Sequence, residues 1–282
     1  MRVDRPVAAN HDTLVQQYFR STFPYWEKIY TDRTVYSRIY QERARQAIGY
    51  VDCLALPLQA PVLEVGCGPG FISTQMAQEG FNVSAIDSAP EMVERTRAKA
   101  QQAGLDPRVL ARVGNIDSIP FADAAFELVV VIGVSEWLDS MRRPLAEISR
   151  VLRPGGHLII SADNYWPLHQ ILDPVFNPAL KPIKSCIGKA LRFTGLRTPQ
   201  PRVRAYSLRE FDKELSDSGF DKIVGRTLGF GPFTFCNRTL LNEEAGWELH
   251  RTLQRLADKG IPLLRSAGLV YMVLSQKRVH AR

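Results

Sequence analysis

Short apolar runs alternate with longer amphipathic stretches in the central part of the chain. The runs lie at residues 62–65, 83–86, 109–113, 128–132 and 157–161, and the amphipathic stretches include 71–78, 90–103 and 144–152. Runs rich in Val, Ile and Leu are typical of buried strands, and the stretches have helical periodicity. Strands separated by helices predict βαβ crossovers, and therefore an α/β fold with a doubly wound, mostly parallel sheet that has helices on both faces.

The flanking segments have different patterns. Residues 1–60 are helical in pattern and rich in aromatic residues, whereas residues 164–205 are basic and contain several prolines. Beyond them we predict a helix near 208–218, a strand near 223–228, a helical insertion at about 237–265 and a last strand at 269–275. We expect the two C-terminal strands to pair antiparallel at the sheet edge, so that residues 206–282 belong to the same domain as the core.

Composition narrows the class of protein. The chain has 282 residues, of which 45% are hydrophobic and 23% charged, which is typical of a globular protein with a sizeable core. It has no apolar run of the roughly 18 residues that a membrane-spanning helix needs, and no apolar signal region at its N-terminus. Its four cysteines are widely spaced without a CxxC pair. We therefore expect no metal site and no disulfide scaffold, and a cytoplasmic location.

The net charge of +7 is concentrated in one segment. Residues 174–209 contain eight basic residues and no acidic residue, so the rest of the chain is close to neutral. This argues against a nucleic-acid-binding surface over the whole protein. In a helix, Ile183, Ile187 and Leu191 would share one face beside basic residues, which would suit peripheral contact with an anionic membrane. The alternatives are a clamp for a phosphorylated or carrier-linked ligand and a solvated cover.

A glycine-rich loop follows the first predicted strand. Its glycines are Gly66, Gly68 and Gly70. Glycines let the backbone turn tightly and approach a ligand closely, and the first amides of the following helix face that ligand. Neither spacing completes G-x-G-x-x-G, because Phe71 and Ser73 occupy the third glycine positions, and no GK[ST] follows. Glu64 would repel a pyrophosphate and attract a cation. The loop favours an adenosine-bearing cofactor, the alternative being a tight turn without a ligand.

Asp87 ends the second predicted strand, about 20 residues after the glycines. An acidic side chain at this position can accept both hydroxyl groups of a ribose. The alternative is an N-cap for the helix at 90–103, but Ser88 could fill that role. We therefore favour the ribose role.

Five motifs in order resemble the class I S-adenosylmethionine-dependent methyltransferases. They are E-V-G-C-G-P-G at 64–70, A-I-D at 85–87, G-N-I-D-S-I-P-F at 114–121, F-E-L-V-V at 126–130 and L-R-P-G-G at 152–156. The resemblance covers about residues 60–163, and the stretch 206–220 resembles the small-molecule branch of that family. It implies a Rossmann-like sheet, S-adenosyl-L-methionine as cofactor, and 61–163 as the cofactor-binding core.

The resemblance also implies roles for individual residues. The three glycines would lie beneath the methionine part of the cofactor. Glu64 would orient the loop or reach the amino group, and Asp87 would hold the ribose. Ser88 and Met92 would lie near the adenosine.

Two more residues would contact the adenine. Asn115 stands where the family usually has Asp facing the adenine amino group, and it keeps a carbonyl acceptor without the charge. Ile116 would offer a backbone N–H and an apolar face.

The implied reaction is in-line transfer of a methyl group, which depends on positioning the acceptor and is helped by a general base if the acceptor is a hydroxyl. His169 follows the fifth strand and is our candidate base; its alternative is a surface helix position. Glu136 follows the fourth strand and is a candidate for contact with cofactor or substrate; its alternative is to cap a helix.

The aromatic N-terminal residues 1–60 are predicted to form a helical lid. Tyr25, Trp26, Tyr30 and Tyr36 would close over the cofactor and exclude water. The alternative is ordinary packing of these helices on the sheet.

The sequence therefore predicts an enzyme that methylates a small molecule, most simply at oxygen, with an apolar or lipid-like acceptor as one hypothesis. One alternative is a nucleic-acid (RNA) methyltransferase, although no N/D-P-P-Y loop follows the fourth strand and no RNA-binding appendage is evident. The other is a cofactor-binding scaffold without methyl transfer. The oligomeric state is not predicted.

Overall fold

The computed structural model describes residues 11–180 and 201–279. The helices are α1 (His11–Lys28), α2 (Val35–Cys53), α3 (Phe71–Gln78), α4 (Pro90–Gln102), α5 (Arg142–Val151), α6 (Leu168–Leu172), α7 (Leu208–Asp217) and α8 (Glu243–Asp258). The strands are β1 (Pro61–Val65), β2 (Asn82–Asp87), β3 (Val109–Val113), β4 (Phe126–Val131), β5 (Leu152–Asp163), β6 (Phe220–Leu228), β7 (Thr234–Phe235), β8 (Arg238–Thr239) and β9 (Val270–Lys277).

Seven of these strands form one sheet in the order β3-β2-β1-β4-β5-β9-β6. The first five are parallel, and β9 runs antiparallel to both β5 and β6. The predicted α/β, Rossmann-like sheet with an antiparallel terminal strand is confirmed. The short hairpin of β7 and β8 was not predicted, and it precedes α8 within the predicted helical insertion.

The sheet has an apolar layer on each face, as a parallel sheet requires. Along β4, Val129 and Val131 pack with residues of α5 and α7, whereas Leu128 and Val130 pack with residues of α2, α3 and α4. All four are fully buried. The apolar run that predicted this strand therefore reflects burial on both sides. The carboxyl ends of β1, β2, β4 and β5 are left at one edge, beneath the N-terminal helices.

His250 in α8 holds α2 in place. Its Nδ1 accepts a hydrogen bond from the backbone N–H of Phe230 at 3.0 Å, so the ring proton lies on Nε2. Nε2 then donates to Oε2 of Glu42 in α2 at 2.7 Å. His250 is fully buried and stacks on Trp247, with ring centroids 4.7 Å apart. Its role in the fold is therefore structural.

Part of the basic segment lies outside the described residues. This applies to 181–200, which includes the predicted apolar face of Ile183, Ile187 and Leu191. Within 11–180 and 201–279, no helix combines the length and the hydropathy needed to cross a bilayer.

Candidate functional site

A cavity opens at the carboxyl ends of β1, β2 and β4, beneath α1 and α2. Eight residues that the sequence predicted for the site line it: Gly66, Gly68, Asp87, Ser88, Met92, Asn115, Ile116 and Glu136. Three others do not line it: Glu64, Gly70 and His169. Residues of α1 also line the cavity. Arg43 of α2 lines it too, and the sequence analysis did not single out this arginine.

The glycine loop forms the floor of the cavity. Gly66 has φ of +73°, and a Cβ there would overlap the Val134 side chain. Gly68 has φ of +51°, and a Cβ there would meet no atom within 4 Å, because it would point into open space. Gly68 is thus where a ligand can approach the backbone most closely.

Gly70 packs against α4 and does not line the cavity, and its predicted place beneath the cofactor stays a prediction. It has φ of +79°, and a Cβ there would lie 2.9 Å from the Thr96 backbone of α4. Its lack of a side chain lets the turn into α3 pack on α4. It is a packing residue at this position and does not contribute to the cavity wall.

Asp87 joins the loop to α4. Its Oδ2 accepts the N–H of Gly68, and its Oδ1 accepts the N–H of Ala89, both at 2.9 Å. Ala89 is the N-cap of α4 and has no side-chain cap bond, so the expectation that Ser88 would cap this helix was wrong. Burial raises the pKa of Asp87, and the hydrogen bonds from Ala89 and Gly68 oppose that rise. The carboxylate still lines the cavity, and its ribose role stays a prediction.

Glu64 lies beneath the loop. It is 3% exposed and accepts a hydrogen bond from the Ser73 hydroxyl of α3. Burial raises the pKa of Glu64 to about 8, against the lowering effect of Ser73, so the side chain is mostly protonated at neutral pH. Of its two predicted roles, positioning of the loop agrees with this location. Direct contact with the amino group of a ligand does not.

Four residues line the end of the cavity near β2 and β3: Ser88, Met92, Asn115 and Ile116. Met92 and Ile116 are buried and supply apolar surface. Asn115 Oδ1 accepts the N–H of Asp117 at 2.9 Å, so part of its acceptor capacity already stabilises the turn. Its predicted contact with the adenine amino group would have to use the remaining lone pair.

Arg43 and Glu136 form a buried pair in the cavity wall. Both side chains are 6% exposed, and Arg43 Nη1 lies 3.7 Å from Glu136 Oε1, which is too long for a good hydrogen bond. The guanidinium carbon lies 4.1 Å from the Tyr40 ring centroid. A Cβ at Gly133 would come within 2.9 Å of Arg43 Nη2, so glycine at the end of β4 makes room for this arginine.

Polar atoms of this pair have no partner. Arg43 Nε, Arg43 Nη1 and Glu136 Oε2 are buried and make no hydrogen bond within the part of the chain that the structure describes. Unmade hydrogen bonds of buried charged groups are costly. They therefore mark a place where a polar ligand would complete the bonding.

Asp163 ends β5 close to this pair. The N–H of Arg204 donates to the Glu136 carbonyl at 2.7 Å, and the N–H of Tyr206 donates to the Asp163 carbonyl at 2.8 Å. Burial and the negative charge of Glu136 raise the pKa of Asp163 to about 8, while Arg43 opposes the rise. Burial also raises the pKa of Glu136, and Arg43 opposes it.

Helix α1 covers the cavity, as the predicted lid would. Trp26 and Tyr30 line the cavity, whereas Tyr25 is 49% exposed and Tyr36 does not line it. Tyr30 stacks on Phe71, with centroids 4.1 Å apart. Movement of these helices stays a prediction.

Two ion pairs tie α1 to α4. Arg20 Nε lies 2.7 Å from Glu91 Oε1, and Arg95 pairs with Glu27. At the other end, His11 Nε2 lies within hydrogen-bonding distance, 2.9 Å, of the Trp137 carbonyl.

His169 does not reach the cavity, contrary to the expectation for a base. It lies in α6, where Leu168 packs against the separate apolar cluster of Phe230 and Phe233. The ring is 9% exposed, and its Nδ1 has no partner among the described residues. Burial lowers the pKa of His169 to about 4. The position after a strand predicted nearness to the site, but it did not reveal the direction of the helix that follows.

Residues 63–160 match a family model described as a methyltransferase domain. The chain is 40% identical over 114 residues to a malonyl-(acyl-carrier protein) O-methyltransferase of Enterobacter lignolyticus, which is 39% of this chain and 43% of that protein. It is 34% identical over 119 residues to a ubiquinone biosynthesis O-methyltransferase of Xanthomonas axonopodis, which is 42% of this chain and 49% of that protein. The chain thus spans less than half the length of these relatives.

The fold is similar to that of a solved magnesium protoporphyrin IX methyltransferase from Synechocystis, a structure with bound SAH. The TM-score is 0.62, with 16% sequence identity, over 95% of this chain and 100% of that chain. At this identity the likeness concerns the fold alone.

Proposed function

We propose that this protein transfers the methyl group of S-adenosylmethionine to an oxygen atom of a small molecule, since residues 63–160 match the methyltransferase-domain model. The observation that carries the proposal is the cavity in which the glycine loop, Asp87 and the Arg43–Glu136 pair meet. Both relatives described above are named O-methyltransferases, which supports oxygen as the acceptor atom.

The residues of the cavity fit this cofactor. Gly68 leaves open space above the loop, and Asp87 presents a carboxylate for the ribose hydroxyl groups. Asn115 and Ile116 would hold the adenine.

When bound, the cofactor supplies a reactive sulfonium methyl group. The chain's contribution is to orient the acceptor and exclude water. Trp26 and Tyr30 close the cavity on the side of the N-terminal helices. Glu136 replaces His169 as our candidate for holding the acceptor's proton, because Glu136 lines the cavity and its buried Oε2 has no hydrogen-bond partner among the described residues.

The order of the strands suggests how the ligands would be arranged. Asn115 follows β3, Asp87 ends β2, the glycine loop follows β1 and Gly133 follows β4. Adenine, ribose and methionine would lie along this order, so the acceptor would lie on the side of β4 and β5. Ligands of open α/β sheets bind at the carboxyl ends of the strands.

Two measurements test the proposal. Calorimetry should show binding of S-adenosylhomocysteine, and labelled cofactor incubated with a metabolite extract should transfer label to a small molecule that mass analysis identifies. Absence of S-adenosylhomocysteine binding would refute the cofactor site. Binding without transfer would favour a scaffold, and label in RNA would favour the nucleic-acid alternative.

The basic segment at 174–209 supports two further proposals. The segment would contact an anionic membrane surface or clamp a phosphorylated or carrier-linked acceptor, and the alternative to both is a solvated cover. Flotation with anionic vesicles that falls as salt rises would support the membrane contact. Absence of flotation at low salt would exclude it.

A further inference from the structure

Glu136, which follows β4, lines the cavity, and Asp163 ends the neighbouring strand β5 without lining it. An extended segment contacts both backbones, because Arg204 donates to the Glu136 carbonyl and Tyr206 to the Asp163 carbonyl. Arg204 and Tyr206 are two residues apart, which is about 6.6 Å in an extended segment. The backbones of Glu136 and Asp163, which accept their hydrogen bonds, are therefore neighbours. The N–H of Gly133 also donates to the Ser161 hydroxyl at 3.0 Å, which ties the two strand ends together.

Several buried polar atoms of this subsite have no hydrogen-bond partner among the described residues. Glu136 Oε2 and two nitrogens of Arg43 are buried in the cavity wall and make no hydrogen bond in the described part of the chain. A group that can both donate to a carboxylate and accept from a guanidinium would complete the bonding. A hydroxyl group does both.

The charges of the subsite disfavour two ionised carboxylates. Burial raises the pKa of Glu136, and burial together with the negative charge of Glu136 raises the pKa of Asp163, so both groups lose their protons late. Arg43 balances the remaining negative charge. The groups that face the pair are Arg43 with Tyr36 and Tyr40 of α2, together with Tyr30 and Tyr206.

These properties discriminate between acceptor classes. A carboxylic acid would be repelled by two acidic side chains, and a protonated amine would pair with them and lose its nucleophilic lone pair. A phenol has a pKa near 10, like that of tyrosine, which brings its proton within reach of a carboxylate whose pKa is raised. An aliphatic alcohol is a far weaker acid.

The cavity wall also suits an aromatic ring. Phe19, Trp26 and Trp137 line it. The centroid of the Phe19 ring lies 5.0 Å from that of Trp137 and 5.6 Å from that of Trp26. These distances are typical of favourable aromatic contacts, to which a further ring could be added.

We propose that Glu136 and Arg43, with Asp163 as a charged neighbour, form a subsite for a phenolic hydroxyl group, so that the methyl acceptor is a phenol; this rests on the proposed methyl transfer. The phenolic oxygen forms the new O–C bond as the C–S bond of the sulfonium breaks and its electron pair stays on sulfur. The phenolic proton moves to Glu136. Asp163 is a positioning residue that acts through Glu136 by keeping its basicity high.

The test uses the full chain with the probes catechol and 2-naphthol, against benzylamine and phenylacetate. Calorimetry measures binding to the S-adenosylhomocysteine complex, and mass spectrometry measures methyl transfer between pH 6 and 9. We expect both phenols to bind and to be methylated, at a rate that rises by up to about tenfold per pH unit until Glu136 is deprotonated and then levels off, because the base must be deprotonated and burial raises the pKa of Glu136.

Three variants separate the roles. Asp163→Asn should bind S-adenosylhomocysteine like the wild type, yet move the midpoint of the pH profile lower by at least about one pH unit, because a repelling charge is removed. Glu136→Gln should lose the pH dependence and about 100-fold or more of the rate. Asp139→Asn is the matched control, since Asp139 is exposed and does not line the cavity, and it should leave the profile unchanged.

The outcomes that overturn the proposal are distinct from failure of the proposed function. Preferential binding or methylation of benzylamine or phenylacetate contradicts it, as does absence of binding by both phenols. A uniform loss of rate in Asp163→Asn, with an unchanged pH midpoint, shows that Asp163 is merely structural and also contradicts it. Failure of the wild type to bind S-adenosylhomocysteine would instead refute the cofactor site.

Discussion

Replacement of Glu64 by glutamine should make the protein more stable at neutral and alkaline pH. Glu64 is 3% exposed and is held by the Ser73 hydroxyl, and burial raises its pKa from 4.5 to about 8. In the folded protein the carboxyl group is therefore neutral over a range in which the unfolded chain ionises it. Glutamine has the same shape and no charge to bury, so Glu64→Gln removes this difference between the two states.

The magnitude follows from proton linkage. Below about pH 4.5 both states are protonated, and the wild type has its full stability. Between pH 4.5 and about 8, folding takes up a proton, so the free energy of unfolding falls as pH rises, by about 1.4 kcal/mol per pH unit. Above that range it is constant. We take the difference in free energy of unfolding between the variant and the wild type at pH 4.5 as the reference. That difference should grow in favour of the variant by about 3 kcal/mol at pH 7 and by about 5 kcal/mol at pH 9.

Urea unfolding followed by tryptophan fluorescence at pH 4.5, 7 and 9 measures this difference. Glu94→Gln in α4 is the matched control, because Glu94 is exposed. A difference between Glu64→Gln and the wild type that stays constant across the three pH values would refute the reasoning, since it would mean that Glu64 is ionised in the folded protein.

Three other substitutions test the site. Gly68→Val should lower the free energy of unfolding by about 1–2 kcal/mol, because φ is +51°, and should abolish calorimetric binding of S-adenosylhomocysteine. Gly104→Val is its control, because Gly104 is also left-handed with open space around it but lies outside the cavity; it should cost the same stability and keep the binding. Asp87→Ala should weaken that binding by about 1–3 kcal/mol, and an unchanged dissociation constant would exclude the ribose role. His169→Leu should leave S-adenosylhomocysteine binding and the pH profile of methyl transfer intact. It should also reduce the loss of stability in acid. The free energy of unfolding of the wild type falls as pH falls from about 6.5 towards about 4, since the folded state resists protonation of this buried ring. An equal fall in the variant would contradict this reasoning.

The fold was predictable because its strands are buried on both faces and so have nearly continuous apolar runs. The run at 128–132 identified β4 within two residues of its observed start at Phe126. The glycine loop and Asp87 were predictable for a related reason, since strand, turn and acidic residue are local in sequence. Asp163, like Asp87, is an acidic residue at the carboxyl end of a strand, so the same sequence pattern could have identified it.

Arg43 was not predictable, because a charged residue in an amphipathic helix is usually solvated. Only the packing of α2 over the end of β4, next to Gly133, brings it to the cavity. The prediction for His169 failed for a related reason. Sequence distance from a strand end gives the length of the connection but not its direction.

The link between His250 and Glu42 extends the region on which the cavity depends. Glu42 directly precedes Arg43, and adjacent residues of a helix point about 100° apart. One turn of α2 therefore carries both Glu42, which bonds to His250, and Arg43, which lies in the cavity wall. Rotation or sliding of this turn would displace both together. A change in the distant helix α8 would therefore also move Arg43 in the cavity wall, without altering any residue that lines the cavity.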